Sequence, residues 1–150
     1  MAAAGNKQAL MSITYDIVAG DFVRGGEAAG KLKRVLQQLG LGANVIRRTA
    51  IATYEAEMNV VIHSYGGQLS VDITSETIEI ICSDCGPGIP DIDQALQEGY
   101  STASDDVREM GFGAGMGLPN IRRSADEFSI TSTVGEGTQL QIRILHKAGE

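Results

Sequence analysis

Basic residues are scarce in this sequence: 12 Lys and Arg stand against 19 Asp and Glu, for a formal charge of −7 and a pI near 4.8. The clustered cations that neutralise nucleic-acid phosphates are therefore missing, and the charged partners to expect are proteins or a metal–nucleotide complex. Long apolar runs are missing too. Nowhere do about 18 apolar residues follow one another, and the first ten residues, with a single Lys and no apolar stretch, make no signal peptide. A cytoplasmic protein without a membrane partner is expected. Cysteine is limited to Cys82 and Cys85. Their Cys-x-x-Cys spacing suits a redox pair or half of a metal knuckle, but a closed zinc site takes four ligands, and His63 and His146 have no finger-like spacing. Two reduced thiols at a strand-to-loop junction are the simpler reading. No internal repeat is evident, and 150 residues with 43% hydrophobic content suffice for one core and leave no room for a second domain.

The patterns that are present alternate between two periods. Residues 1–11 are small and polar enough for a flexible amino terminus, 12–146 carry the folded domain, and 147–150 form a short tail. From Ser12 to Val18, Ile13, Tyr15 and Ile17 alternate with Thr14 and Asp16, which predicts a half-buried strand. Leu32, Val35, Leu36 and Leu39 then fall at helical spacing until Gly40. Asn44 is a candidate cap for a longer, more apolar helix reaching about Tyr65. Leu69, Val71 and Ile73, then Ile78, Ile80 and Cys82, predict a hairpin turning near Ser75 and Glu76. Between Asp84 and Gly117 regular patterning lapses except near Ile92 to Gln97, as in a functional lid or a disordered insert. A helix over Leu118 to Ala125 and strands over Phe128 to Thr133 and Thr138 to Leu145 follow. The sum is α+β: a two-layer α/β sandwich with a mixed, mainly antiparallel sheet covered on one face by helices.

Four short segments could carry chemistry. Glu55 and Asn59, four apart on the second helix, share a face, and burying a carboxylate and an amide there calls for a partner such as hydrated magnesium with nucleotide phosphates. Ordinary surface polarity explains the pair equally well, and Glu57, two residues along, points elsewhere. Asp84-Cys85-Gly86-Pro87-Gly88-Ile89 ends a strand with an acceptor and two glycines, fit either for a ring bearing an exocyclic amine or for a plain tight turn. Gly111-Phe112-Gly113-Ala114-Gly115-Met116-Gly117-Leu118 opens a helix, so its N–H groups and dipole suit phosphate, although it is neither a Walker loop nor a Rossmann fingerprint. Gly135-Glu136-Gly137-Thr138 alone is a hairpin turn. Arg108, Arg122 and Arg123 read as solvated charge.

Taken in order, these segments resemble the boxes of the GHKL (Bergerat-fold) superfamily, which joins gyrase-type topoisomerases, histidine kinases and mismatch-repair ATPases. Glu55-Ala-Glu-Met-Asn59 matches its Glu-x-x-x-Asn box, Asp84 to Ile89 its Asp-x-Gly-x-Gly box, Gly111 to Leu118 its second glycine box, and Gly137-Thr138 its terminal Gly-Thr. The short first strand, the segment IATYEAEMNVVIHSYGG and the segment GYST are similar to anti-sigma-factor serine kinases and related switch kinases, over roughly Ser12 to Leu145. The resemblance implies ATP and Mg²⁺ as cofactors. It makes Glu55 the general base and Asn59 the metal ligand. Asp84 becomes the receiver of the adenine amine, with Thr138 supporting it. Gly86, Gly88, Gly113, Gly115 and Gly117 would shape the pocket, with Ile89, Gly111, Met116 and Leu118 completing the nucleotide boxes. Cys85 departs from the small polar residue the family often carries there.

The function so implied is an ATP- and Mg²⁺-dependent serine/threonine protein kinase acting on a STAS-type antagonist, with binding of a sigma factor as a related role and a homodimer as the expected assembly. A histidine kinase is disfavoured because no phosphoacceptor helix precedes the first strand. The local chemistry leaves serine, threonine and water open as phosphate acceptor. It also leaves a non-catalytic, ATP-responsive binding module as the alternative, against which the intact Glu55 argues.

Overall fold

The computed structural model describes residues 10–99 and 117–146. Five strands, β1 (Met11–Ile17), β2 (Gly67–Ile73), β3 (Thr77–Asp84), β4 (Glu127–Thr133) and β5 (Gly137–Leu145), form one sheet in the order β1-β2-β3-β5-β4. The expected mixed sheet is antiparallel at all four described pairings: β2–β3 and β4–β5 are hairpins, β2 runs back against β1, and β4, which runs the same way as β3, is kept apart from it by β5. Period-2 patterning sets its two faces. Leu69, Val71, Ile73, Ile78, Ile80, Cys82, Leu140, Ile142 and Ile144 are buried beneath the helices. The other face carries Thr14, Asp16, Ser70, Glu79 and Gln141, with Arg143 donating to both Glu79 and Glu127.

Helix α1 spans Glu27–Gln38, α2 Ala43–His63, the single turn α3 Ile92–Ala95 and α4 Gly117–Ser124. Helix α2 contacts α1, α4 and the sheet. Its tightest contacts use small side chains: Thr49, Ala52, Thr53 and Ala56 have no exposed surface, and the Cys82 thiol of β3 lies 3.7 Å from the Ala56 carbonyl oxygen, to which it donates. The Thr53 hydroxyl is satisfied within the helix by the Thr49 carbonyl at 2.8 Å. Helix α1 stops as anticipated at Gly40, which takes φ 78° while Leu41 N–H returns to the Leu36 carbonyl. The anticipated cap Asn44 lies inside α2; the cap is Gly42, because the chain leaving α1 is already turned by Gly40 and Leu41 when it reaches the helix start.

Helix α1 begins without a side-chain cap of its own, since Gly26 holds that position. Glu57 of α2 supplies the acceptors instead. Its Oε2 accepts from Ala28 N–H at 3.1 Å and its Oε1 from Ala29 N–H at 2.9 Å, with only 4% of the residue exposed. A buried carboxylate at the positive end of a helix dipole has two of its lone pairs filled by otherwise orphaned donors. Glu57 is thus the buried acid of α2, whereas Glu55 and Asn59, expected to need a partner for burial, are only half-buried.

Replacing Glu57 by Ala leaves those two N–H groups without acceptors and opens a void, with an expected loss of about 2–4 kcal/mol. Glu57→Gln retains one acceptor oxygen and should lose about half as much. Urea unfolding of the two variants checks this order.

Candidate functional site

Asp84 closes β3 on the inward side, two residues beyond Cys82, and is half-buried. Thr138 of the neighbouring strand donates its N–H to Oδ1 at 3.1 Å. The preceding Gly137 makes this approach possible. It sits at φ 153°, and a β-carbon there would collide with the Asp84 carbonyl group. Burial pushes the Asp84 carboxyl above its ordinary range, and the Thr138 N–H pulls it partly back.

The loop after Asp84 is stitched to two turns. Cys85 N–H donates to the Gly66 carbonyl and Tyr65 N–H to the Cys85 carbonyl, at 3.0 and 2.8 Å, which joins the loop to the end of α2. Gly86 N–H reaches the Glu136 carbonyl and Gly135 N–H the Pro87 carbonyl, at 3.1 and 2.9 Å, which joins it to the β4–β5 turn. Gly88 has φ 77°, and a β-carbon there would lie 2.6 Å from the Thr133 carbonyl oxygen. Gly86 leaves a bare floor beside Asp84: its added β-carbon would fall 3.3 Å from Oδ1 and 3.1 Å from Ser64. The Ile89 N–H donates to the Ser132 hydroxyl at 2.8 Å, and that hydroxyl lies 2.9 Å from the Thr138 hydroxyl.

Glu55 and Asn59 lie upstream on α2, the helix whose C-terminal cap Ser64 abuts Gly86. Asn120 of α4 donates its Nδ2 to Glu55 Oε2 at 2.7 Å. Its Oδ1 accepts from Arg123 Nη2 at 2.7 Å, and Arg123 is ion-paired with Glu98. Gly117, the first residue of α4, stands next to the same carboxylate, its added β-carbon 3.8 Å from Oε1. Leu118 is buried in the core. Gly111, Gly113, Gly115, Met116 and Arg108 lie outside the described residues.

The sequence brought forward Glu55, Asn59, Asp84, Gly86, Gly88, Ile89, Gly117, Leu118 and Thr138; it passed over Asn120 and Ser132. Ser132 is one polar residue in a strand of alternating polarity, and only the β4–β5 pairing puts it beside Ile89 and Thr138. Asn120 has no local mark either, since its partner is 65 residues away. Arg123, read as solvated, holds Asn120 and Glu98. Cys82 and Cys85 are both free thiols, one buried and one exposed. Burial first, then the charges of Asp84 and Glu57, push the Cys82 thiol up to about 12, so it is protonated at neutral pH.

The donor set fits a nucleotide. Asp84 offers a partly desolvated acceptor over a floor without side chains, where an exocyclic amine can dock. No group of three or more His, Cys, Asp or Glu able to hold a metal occurs among the described residues.

Gly137→Ala should cost about 3 kcal/mol or more, from strain at its φ and from the collision with Asp84. For Asp84 the sign follows from its raised pKa: the stability tied to this group is present at low pH and is lost as pH rises through the folded-state value. Asp84→Asn in the ligand-free chain is accordingly expected to gain on the wild type as pH goes from 3 to 7. Urea midpoints at the two pH values measure it, and a loss over that range would reverse the assignment.

The chain matches the family described as histidine kinase-like ATPase domain over residues 24–144. It is 36% identical over 119 residues to the serine/threonine-protein kinase RsbT of Bacillus subtilis (strain 168), which covers 76% of this chain and 84% of that protein. It is 35% identical over 91 residues to the anti-sigma F factor of Pasteuria penetrans, covering 56% of this chain and 57% of that one. The crystal structure of RsbU and RsbW domains from Mycobacterium tuberculosis is similar with a TM-score of 0.57 at 15% identity, over 89% of this chain and 32% of that one. The SiaB–SiaC complex from Pseudomonas aeruginosa is similar with a TM-score of 0.56 at 12% identity, over 93% of this chain and 92% of that one. At such identities the two structures speak for the fold alone. No helix among the described residues is long and apolar enough to cross a membrane. The match over most of the chain shows that it belongs to the histidine kinase-like (GHKL) ATPase domain family, which implies ATP as its ligand.

Proposed function

We propose that this protein is an ATP- and Mg²⁺-dependent serine/threonine protein kinase of the anti-sigma-factor type, which phosphorylates a small STAS-domain antagonist and binds a sigma factor or a comparable regulatory protein. The observation that carries the reading is the division of labour on α2. Glu57 is consumed in capping α1, while Glu55 stays half-buried against Gly117, where the second glycine box meets α4. A kinase needs a carboxylate with an oxygen left for the acceptor hydroxyl, and a passive nucleotide binder does not. The similarity to a serine/threonine-protein kinase over most of both chains and to an anti-sigma factor supports the choice of reaction and of partner.

In this mechanism Asp84 accepts a hydrogen bond from the adenine amine, with Oδ1 held by Thr138 N–H. Gly86 and Gly88 keep the ring's approach clear, and Ser132 and Ile89 brace the loop that carries them. Asn59 offers its amide oxygen to magnesium. When bound, Mg·ATP supplies the phosphoryl group and a cation that offsets its charge. Glu55 orients the acceptor hydroxyl and takes its proton at Oε1, since Oε2 is engaged by Asn120.

Incubation of the purified chain with labelled ATP, Mg²⁺ and the STAS-domain proteins of its own organism tests this. Transfer is expected with the wild type, with a loss of about 100-fold or more in Glu55→Gln at ATP affinity changed by less than about 3-fold. Asp84→Asn should weaken ATP binding by about 10-fold or more. Undiminished transfer in Glu55→Gln would remove the base. ATP binding without transfer to any STAS-domain protein would leave a nucleotide-responsive binding module.

A further inference from the structure

The Glu55 carboxylate is half-buried on α2, and its one described hydrogen bond comes from the side-chain amide of Asn120 at 2.7 Å. An Asn amide can present either its oxygen or its nitrogen to a neighbour. Here the choice is made by Arg123, whose Nη2 donates to Asn120 Oδ1 at 2.7 Å and so leaves only the NH₂ group to face Glu55. Arg123 is set in turn by its ion pair with Glu98. The chain of contacts Glu98–Arg123–Asn120–Glu55 is polar and charge-assisted at both ends, and it spans the segment before α4, α4 itself and α2.

The contact removes rotational freedom from the carboxylate, so that Oε1 rather than Oε2 is the oxygen presented beside Gly117.

We infer that Asn120 is a positioning residue for Glu55, held in the donating orientation by Arg123, and that phosphoryl transfer depends on this amide through the carboxylate it orients. The inference rests on the kinase reading of Glu55, and its tests separate the two. Asn120→Ala is expected to lower kcat by about 10- to 100-fold in the transfer assay with Mg·ATP and a STAS-domain protein, leaving KM for ATP within about 3-fold. Asn120→Asp has the same shape and keeps a partner for Arg123, but it replaces the donor by a carboxylate facing Glu55, so its kcat should fall at least as far. Arg123→Gln, which frees the amide to turn over, should give a smaller loss.

The decisive comparison is made in the Glu55→Gln background. There Asn120→Ala should change the residual kcat by less than about 2-fold, because the group it positions is gone. An equal fold loss in both backgrounds, or wild-type kcat in Asn120→Ala, overturns the positioning role and leaves the kinase reading intact. Full transfer by Glu55→Gln alone, or no transfer by the wild type, overturns both. The contact has its own readout without turnover: the side-chain amide protons of Asn120 in ¹⁵N-labelled protein should shift on Glu55→Gln and on Arg123→Gln. Signals unmoved by either substitution overturn the contact itself.

Discussion

The close seating of α2 on the sheet is the constraint from which the site takes its shape. Thr49, Ala52, Thr53 and Ala56 are small and fully buried, and at Ala56 the helix comes near enough to the sheet for the Cys82 thiol to reach its carbonyl. Packing at that distance leaves the helix no freedom to rotate or slide without forcing larger side chains into the aliphatic layer of Leu69, Val71, Ile80 and Leu140. The outward side chains of α2 are thereby fixed in direction. Glu55 meets α4, and the helix end at Ser64 meets the Asp84 loop.

Three carboxylates near this helix do three different things, and environment separates them. Glu57 faces two helix N–H donors and is structural. Asp84 has one backbone donor and partial burial, and the burial pushes its carboxyl up while the Thr138 N–H pulls it partly back. Glu55 has one side-chain donor, Asn120, and stands at the start of α4. The same functional group has both oxygens hydrogen-bonded in the first case and one described donor in each of the other two. The stability of α1 and the chemistry proposed at Glu55 thus depend on two residues of a single helical turn.

Much of this was legible in the chain. The alternation of Leu69, Val71 and Ile73 and of Ile78, Ile80 and Cys82 marks a hairpin because period-2 burial is a local property of strands, and the observed register pairs Ile73 with Ile78 about the turn at Ser75 and Glu76. The spacing of Leu32 and Leu36 marks α1, and both are fully buried. The boxes containing Asp84, Gly88 and Gly137 were legible for a related reason: backbone at positive φ or in contact with a neighbouring carbonyl admits little but glycine, so the requirement is written in the residue type. Glu57 was legible only as a negative, a residue off the face of Glu55. Its destination depends on where α1 begins, and the stretch between Ala29 and Glu57, 28 positions apart, carries no signal of that meeting.

Element periods, an antiparallel-rich sheet with one covered face and the glycines that tolerate close approach are written in the chain, because they follow from side-chain spacing and from the sterics of single residues. The nucleotide was indicated by the resemblance of the ordered boxes to the GHKL family. Tertiary structure alone decided which polar groups meet: Thr138 with Asp84, Ser132 with Ile89, Glu57 with the α1 start, and Asn120 with Glu55. Hydrogen-bond partners are chosen by angstrom-scale distances between segments far apart in the chain, and those distances exist only once α2 is packed on the sheet with α1 and α4 beside it.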